Sequence, residues 1–438
     1  MAEGSSSDGI PVQSPQSPIM ALAIPPSDLE DLQERQKAAT AFDEERLREY
    51  LSRENMGLSP TQVEEILGMK LSDTVEGDLA FLGESGTPES AGISDLEKHG
   101  SGSFGDVYRR TSSSEEVLKI LSRWKCRPEN EMERFACELK QCYFTTLIKP
   151  AVEGREQHVV SFLGYSLGQA PALRFSFEGD TVVKFLKSRE FDLRERLDLM
   201  LQIIEAVEDL HTLRAGAHSA EDEPSMYCVH CDLKPENIMI KTLSNPGLNE
   251  RAFVVRLVDF GESTWMAPIT VDSLVRGVKQ EGRGLTPEYC PPERLDESAR
   301  DHRGMRGSIS FETDIFALGA LMLCLFTAHE ARLTPFPMTD KGEISDQYLR
   351  DLVAKWGPRS QHPTLGYIHR YIPSGHAIPM EIFRIADLCC SRYPHSRPEA
   401  CFVRQRWETM MAQIERNENL VLVTEAGVRE EFPRAIPF

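Results

Sequence analysis

The segment from Val229 to Ile240 constrains the fold of this chain more than any other stretch. It places an acid, Asp232, close before a cation, Lys234, and an amide, Asn237, and it ends in an apolar, β-like run. A carboxylate here can accept a hydroxyl proton, a cation can offset charge on a moving phosphoryl group, and an amide oxygen can ligate Mg²⁺. The segment therefore predicts a loop suited to phosphoryl transfer.

A glycine-rich stretch lies upstream of this loop. Residues 100–107 follow the pattern G-x-G-x-x-G-x-V, whose glycines let the backbone fold over phosphates and offer its amides to them. Lys119 follows in the apolar strand predicted at 117–120, where a lysine without a role would be energetically costly. A carboxylate partner for Lys119 is expected in the helical stretch 129–147. We select Glu138, with Glu133 as the alternative.

Three further motifs follow the loop in order. Asp259-Phe-Gly comes directly after an apolar strand predicted at 253–258. A polar segment then leads to Thr286 and to a Pro-Pro-Glu sequence that ends at Glu293. Much later, Arg397 precedes a proline and is placed to pair with Glu293 in a structural ion pair. One such motif could arise by chance, but chance does not explain the whole ordered set.

In this order the motifs resemble those of eukaryotic protein kinases. Residues 230–237 are similar to H-R-D-x-K-x-x-N, with Cys231 in place of arginine, and residues 291–293 are similar to A-P-E, with Pro291 in place of alanine. The resemblance covers about residues 97–412. It implies an α+β, bilobal protein-kinase-like fold, with a small β-rich N-lobe containing one helix, a larger α-helical C-lobe, and ATP between them.

The resemblance also implies roles for individual residues. Lys234 and Thr286 match the serine/threonine branch, so the implied reaction moves the γ-phosphoryl group of ATP to Ser or Thr hydroxyls of protein substrates with Mg²⁺. The alternative is a pseudokinase that binds ATP as a scaffold or regulatory module. The implied catalytic residues are Asp232, Lys234, Lys119 and Glu138, and the implied Mg²⁺ ligands are Asn237 and Asp259. The implied nucleotide-binding residues are Gly100, Ser101, Gly102, Ser103, Phe104, Gly105, Val107, Val117, Lys119, Glu178 and Met239.

Cys231 bears on control of the reaction. In kinases with arginine at this position, the guanidinium binds a phosphate on the activation segment, and this contact orders the segment. A cysteine thiol is neutral, short and a weak hydrogen-bond donor, so it cannot take this role. The sequence therefore predicts a non-RD kinase that is active without phosphate on the activation segment.

The parts of the chain outside the motifs differ in composition. Residues 1–26 are rich in Ser and Pro and are expected to be disordered. Residues 27–96 form an acidic extension and linker, in which Ser27 and Ser59 begin helices; Pro60 and Gln62 strengthen the second start. Residues 27–68 of it are either a docking or regulatory segment with a protein partner or an acidic extension packed loosely on its neighbour. Residues 413–438 form a C-terminal tail.

The net charge of −20 is concentrated in the first 98 residues. Nucleic acid and anionic membrane carry the same sign of charge, so neither is an expected partner. The longest apolar run, at 315–326, is shorter than the roughly 20 residues that span a bilayer, and a buried helix is expected there. The early apolar run at 19–24 is too short for a signal peptide, so the expected location is the cytoplasm, with the nucleus also open.

Overall fold

A computed structural model gives the architecture of the chain, and all described residues lie in a unit spanning Phe42–Phe438. The described ranges are 44–71, 96–101, 105–110, 115–121, 131–167, 171–189, 191–212, 227–243, 251–266, 286, 289–295, 309–327, 376–391, 393–416, 420–424 and 427–431. The segment 1–26, the helix start at Ser27 and the middle of the glycine-rich stretch lie outside these ranges.

Two short helices begin the described chain: α1 (Glu44–Leu51) and α2 (Pro60–Gly68), joined through a 3-10 turn at Glu54–Met56. The predicted start of α2 is confirmed. Ser59 accepts a hydrogen bond from the Gln62 amide, and the Gln62 side chain accepts one from the Ser59 amide. Both helices bury their apolar faces, and Leu47, Leu51 and Ile66 have no exposed surface. The segment is therefore packed tightly, in contrast to a loosely packed extension.

A five-stranded antiparallel sheet with the order β1-β2-β3-β5-β4 follows. Val107 pairs with Lys119, and Val117 lies two residues before Lys119, so the three side chains share one face of the sheet. Helix α3 (Glu131–Thr146) comes between β3 and β4 in the chain. The strands are β1 (Leu96–Ser101), β2 (Gly105–Arg110), β3 (Glu116–Leu121), β4 (Phe162–Ser166) and β5 (Ala172–Ser176).

Residues 178–180, here called the hinge, connect this sheet to the rest of the chain. Gly179 has a φ of +87°, and a Cβ atom there would lie 2.0 Å from the Ile240 carbonyl oxygen, so only glycine lets the two chain segments approach this closely. A second sheet, ordered β6-β8-β9, begins at the hinge. Its strands are β6 (Asp180–Thr181), β8 (Ile238–Thr242) and β9 (Phe253–Leu257); a separate pair joins β7 (Tyr227–Val229) to β10 (Thr264–Met266).

Helices make up most of the secondary structure in the described residues after β6. Their bounds are α4 (Val182–Ser188), α5 (Leu193–His211), α6 (Pro292–Leu295), α7 (Phe311–Thr327), α8 (Met380–Cys389) and α9 (Ala400–Glu415). Residues 314–326 of α7 are all buried, as predicted for the apolar run. The predicted ion pair is confirmed, since Arg397 donates two hydrogen bonds, of 2.6 and 2.8 Å, to Glu293.

The described part of the predicted tail is ordered against the helical lobe. Strands β12 (Leu420–Thr424) and β13 (Gly427–Glu431) form a hairpin, and β12 pairs with β11 (Ile378–Pro379). The β-rich first part and the helical second part confirm the predicted α+β bilobal class. Within the described ranges, no helix combines the length and the apolar character needed to cross a membrane.

Close packing of α7 against α8 gives a stability prediction. A Cβ atom on Gly319 would lie 2.7 Å from both Cys389 Cβ and Cys390 Sγ. Gly319→Ala is therefore expected to lower the free energy of unfolding by about 1–3 kcal/mol, the usual cost of overpacking a filled core. Chemical denaturation of the full chain measures the change. Gly68→Ala is the matched control, because a Cβ atom there meets nothing within 4 Å. Equal midpoints for Gly319→Ala and the wild type would contradict this packing.

Candidate active site

The Asp232 carboxylate is held in place from three sides. Lys234 Nζ donates to its Oδ2 at 2.6 Å and Asn237 Nδ2 donates to the same oxygen at 3.0 Å. Thr286 Oγ1 donates to Oδ1 at 2.8 Å and accepts from Lys234 Nζ at 3.0 Å. A carboxylate offers about four lone-pair sites, so three bonds leave one site, on Oδ1, for an incoming hydroxyl.

The backbone of this loop is anchored by Asp314, near the start of α7. Its fully buried carboxylate accepts hydrogen bonds from the amides of His230 at 2.7 Å and Cys231 at 2.9 Å. Cys231 has a φ of +67°, a left-handed conformation that a non-glycine residue adopts at an energetic cost. The two bonds to Asp314 stabilise this conformation and so position Asp232, the next residue.

Lys119 lies between two carboxylates. Its ammonium group donates to Glu138 of α3 and, at 2.8 Å, to Asp259 Oδ1. Burial by itself lowers the pKa of Lys119, but the charges of Asp259 and Glu138 outweigh burial and raise the pKa above its ordinary value. Burial likewise raises the pKa of Asp259, and the Lys119 charge more than reverses this shift, so the pKa lies below its usual value. Lys119 and Asp259 are therefore both charged at neutral pH.

Asp259 and Asn237 come together because β8 and β9 are paired. Ile238 lies opposite Leu257, and the Val258 amide donates to the Asn237 carbonyl at 3.0 Å, which sets the two neighbouring residues side by side. The Asn237 amide nitrogen donates to the Asp232 carboxylate, and Asp259 Oδ1 accepts from Lys119. The Asn237 amide oxygen and Asp259 Oδ2 are the oxygens left to ligate a metal. Oxygen donors of this kind fit Mg²⁺.

These groups line one cavity of about 600 Å³, a size typical of small-molecule sites. Its apolar wall includes Val107, Val117, Val160 and Met239, and its polar side carries Lys119, Asp232, Asn237 and Asp259. An apolar wall beside a cation and metal-ligating oxygens fits a nucleotide, which presents a flat base and a charged phosphate chain.

The cavity gathers most of the residues predicted from the sequence. Gly100, Glu138, Glu178 and Lys234 also line it. Gly105 begins β2, and Ser101 ends β1 with only its backbone described. The Glu178 side chain is buried, accepts from Ser176 Oγ and lies 3.7 Å from the Arg256 guanidinium. Gly102, Ser103 and Phe104 lie outside the described residues.

His99 lines the cavity and was not singled out by the sequence. Its ring packs edge-to-face on Phe177 with the centroids 5.6 Å apart, and its Nε2 atom is buried without a hydrogen-bond partner. Burial lowers the pKa of His99, so the ring is neutral at neutral pH. The pairing register of β1 shifts between Lys98 and Gly100, so simple alternation along the strand could not have assigned this side chain to the cavity.

Two cysteines of the loop region have the C-x-x-C spacing found in metal and redox sites. Both Cys228 and Cys231 are free thiols, and burial raises the pKa of each. A protonated thiol is a poor metal ligand and a poor nucleophile. The described residues contain no cluster of three or more His, Cys, Asp or Glu side chains that could hold a metal ion. Cys228 is therefore best explained as part of the packed core, and Cys231 as a half-buried residue beside it.

Comparisons with known proteins agree with this geometry. The protein kinase domain family matches residues 93–407. The serine/threonine-protein kinase pkn3 of Myxococcus xanthus is 31% identical over 263 residues, which cover 58% of this chain and 40% of that protein. The serine/threonine-protein kinase dkf-2 of Caenorhabditis briggsae is 26% identical over 295 residues, or 64% and 20% of the two chains. The matches thus cover less than half of each relative. The family match confirms the resemblance seen in the sequence, and the chain belongs to the protein kinase domain family.

Proposed function

We propose that this protein is a serine/threonine protein kinase that transfers the γ-phosphoryl group of ATP to Ser or Thr hydroxyls of proteins with Mg²⁺. The observation that carries the proposal is the Asp232 carboxylate, fixed by Lys234, Thr286 and Asn237 at the cavity that Lys119 and Asp259 also line. Preference for Ser and Thr is supported by the Thr286 bridge between Lys234 and Asp232, and by the names of the relatives.

In this mechanism Asp232 orients the acceptor hydroxyl and takes its proton through the lone-pair site left on Oδ1. Lys234 lies beside the same carboxylate and offsets negative charge on the group in transfer. Lys119, held by Glu138, binds phosphate oxygens of the nucleotide. Asn237 and Asp259 would hold Mg²⁺, which when bound neutralises charge on the phosphates.

A peptide-library phosphorylation assay with Mg-ATP tests the proposal directly. We expect phosphate on Ser or Thr, identified by mass spectrometry, and a sequence preference around the modified residue. Phosphate on Tyr alone would refute the assigned specificity. The alternative function is a pseudokinase scaffold. Thermal stabilisation by Mg-ATP without labelling of any peptide would favour that alternative.

We further expect activity without phosphate on the activation segment, since Cys231 cannot bind a phosphate group there. The test treats the full chain with phosphatase and verifies by mass spectrometry that residues 259–293 are unmodified. It then compares the initial rates of the treated and the untreated protein at saturating Mg-ATP. The two rates should agree. A loss of about tenfold or more, roughly 1.4 kcal/mol on the barrier, that rephosphorylation restores would contradict this expectation. Arg294 would then be the candidate cation that binds the phosphate, because its guanidinium lies 3.4 Å from the Cys231 carbonyl oxygen.

A further inference from the structure

Residues 44–71 are the described part of the predicted acidic extension, and the name extension is used for them from here on. They lie before the region matched by the kinase family and have no part in the reaction proposed above. They share one buried apolar cluster with α3 and with strands β4 and β5. The extension contributes Leu47, Leu51, Met56, Val63, Ile66 and Leu67 to this cluster, and α3 contributes Met132, Phe135, Ala136, Leu139, Cys142, Tyr143 and Phe144. A large part of the apolar surface of α3 is therefore covered by a segment of the same chain.

Polar contacts fix the position of the extension on α3. Lys140 Nζ donates to the Met56 carbonyl oxygen, and the Tyr143 hydroxyl donates to the Glu65 carboxylate. Burial lowers the pKa of Lys140, so its ammonium depends on this carbonyl more than an exposed lysine would. Non-directional apolar packing alone would allow the extension to slide, whereas these two bonds set its register along α3.

The N-lobe sheet is also shaped to receive the extension. The Leu71 amide donates to the Tyr165 carbonyl at 2.9 Å, and the Tyr165 amide donates to the Met69 carbonyl at 3.4 Å. Gly164 has a φ of +140°, and a Cβ atom there would lie 2.5 Å from the Met69 carbonyl oxygen. Glycine at this position thus serves both the backbone conformation of β4 and the close approach of the extension.

Side chains of α3 also reach the candidate active site and the segment that follows Asp259. Glu138 pairs with Lys119, and Gln141 accepts a hydrogen bond from Ser263 Oγ at 3.2 Å. The Phe144 ring lies 5.0 Å from the Trp265 ring. Ser263 and Trp265 follow Asp259 closely in the chain. Helix α3 therefore connects the extension with residues proposed to hold nucleotide and metal.

We propose that the extension is a built-in positioning element, which holds α3 where Glu138 meets Lys119 and where Gln141 meets the segment after Asp259. The expected effect on turnover rests on the proposed kinase function, whereas the expected effect on the position of α3 does not. The extension contacts α3 and β4 and contributes no residue to the cavity lining, so its residues are positioning residues. Loss of the extension should leave the catalytic groups present but displaced, and a misplacement of about 1 Å can cost about 10²-fold in rate.

The test uses the full chain with Ile66→Asp, which places a charge in the interface. The expected results are faster hydrogen exchange over residues 131–146, turnover lower by about 10²-fold, and native-like exchange in α5 and α7. Thr61→Asp is the matched control, because Thr61 is exposed on the same helix. Lys140→Met is a milder second variant, which keeps the apolar stem but removes the bond to Met56; it should shift exchange and turnover in the same direction.

A reversible cross-link separates positioning from a general loss of stability. Met56 Sδ lies 3.9 Å from Cys137 Sγ, so Met56→Cys places a second thiol near Cys137 of α3, and mass spectrometry verifies that the disulfide has formed. In the Ile66→Asp background, oxidation should restore turnover and α3 protection, and dithiothreitol should remove both. The ratio of kcat between the oxidised and reduced forms is the readout.

The two proposals fail in different ways. Unchanged exchange over 131–146 in Ile66→Asp overturns the positioning role, whatever the activity of the wild type. Faster exchange with unchanged kcat also overturns it, as does a cross-link that forms without restoring turnover. A wild type that labels no peptide overturns the kinase function instead, and the exchange measurement then still decides whether the extension positions α3.

Discussion

Asp232→Asn is expected to lower kcat by about 10²–10⁴-fold, the usual contribution of a positioned general base. Asparagine has nearly the same shape as aspartate, so Thr286 and Lys234 still have a polar side chain to contact. An asparagine amide, however, cannot take a proton from the acceptor hydroxyl. Mg-ATP affinity should change little, because the proposed nucleotide and metal contacts are made by Lys119, Asn237 and Asp259. Steady-state peptide phosphorylation gives kcat, and isothermal titration gives the affinity.

Asp192→Asn is the matched control for this substitution. Asp192 caps α5 by accepting from the Glu195 amide at 2.7 Å, and asparagine caps helices equally well. Its kcat should equal that of the wild type. If Asp232→Asn retained wild-type turnover, the carboxylate would not be the proton acceptor, and the proposed mechanism would be wrong at its central step.

Asp259→Asn should have an effect of similar size through a different step. The change removes the charge that would hold Mg²⁺ and takes from Lys119 one of its two carboxylate partners. We expect kcat to fall by about 10²–10³-fold, as when one preorganised electrostatic contact is lost. The affinity for ATP should also become nearly independent of Mg²⁺, because the remaining proposed ligand, Asn237, is neutral.

Titration of ATP with Mg²⁺ and with EDTA, on the wild type and on Asp259→Asn, measures this dependence. The wild type should bind more tightly with Mg²⁺, and the variant should show little difference between the two conditions. A variant that keeps the full Mg²⁺ effect would place the metal elsewhere and remove Asp259 from the proposed site. Asp192→Asn again serves as the control.

Much of the site could be predicted from the sequence because its chemistry is local. The loop carries Asp232, Lys234 and Asn237 within a few residues, and the short turn at Pro235–Asn237 keeps them near one another. The start of α2 at Ser59 is equally local, since its capping bonds span three residues. Asp259 follows a buried strand, and strand pairing then brings it beside Asn237.

The partner of Lys119 shows where local information ends. Glu133 and Glu138 lie on the same helix, five residues apart, and point about 140° away from each other around its axis. Either one could face the sheet. Packing of α3 decides, because the apolar face that includes Phe135 and Leu139 is buried, and this rotation points Glu138 at Lys119.

The sequence by itself determined the family, the order of the lobes and the residues able to carry the chemistry, because each depends on short motifs and on the periodicity of apolar residues. Only the tertiary structure decided that the extension covers α3, that His99 faces the cavity and that Asp314 anchors the catalytic loop. These contacts join residues far apart in the chain, and they depend on which surfaces meet. A sequence pattern shows that a face is apolar or that a group is polar, but not which distant partner will cover it.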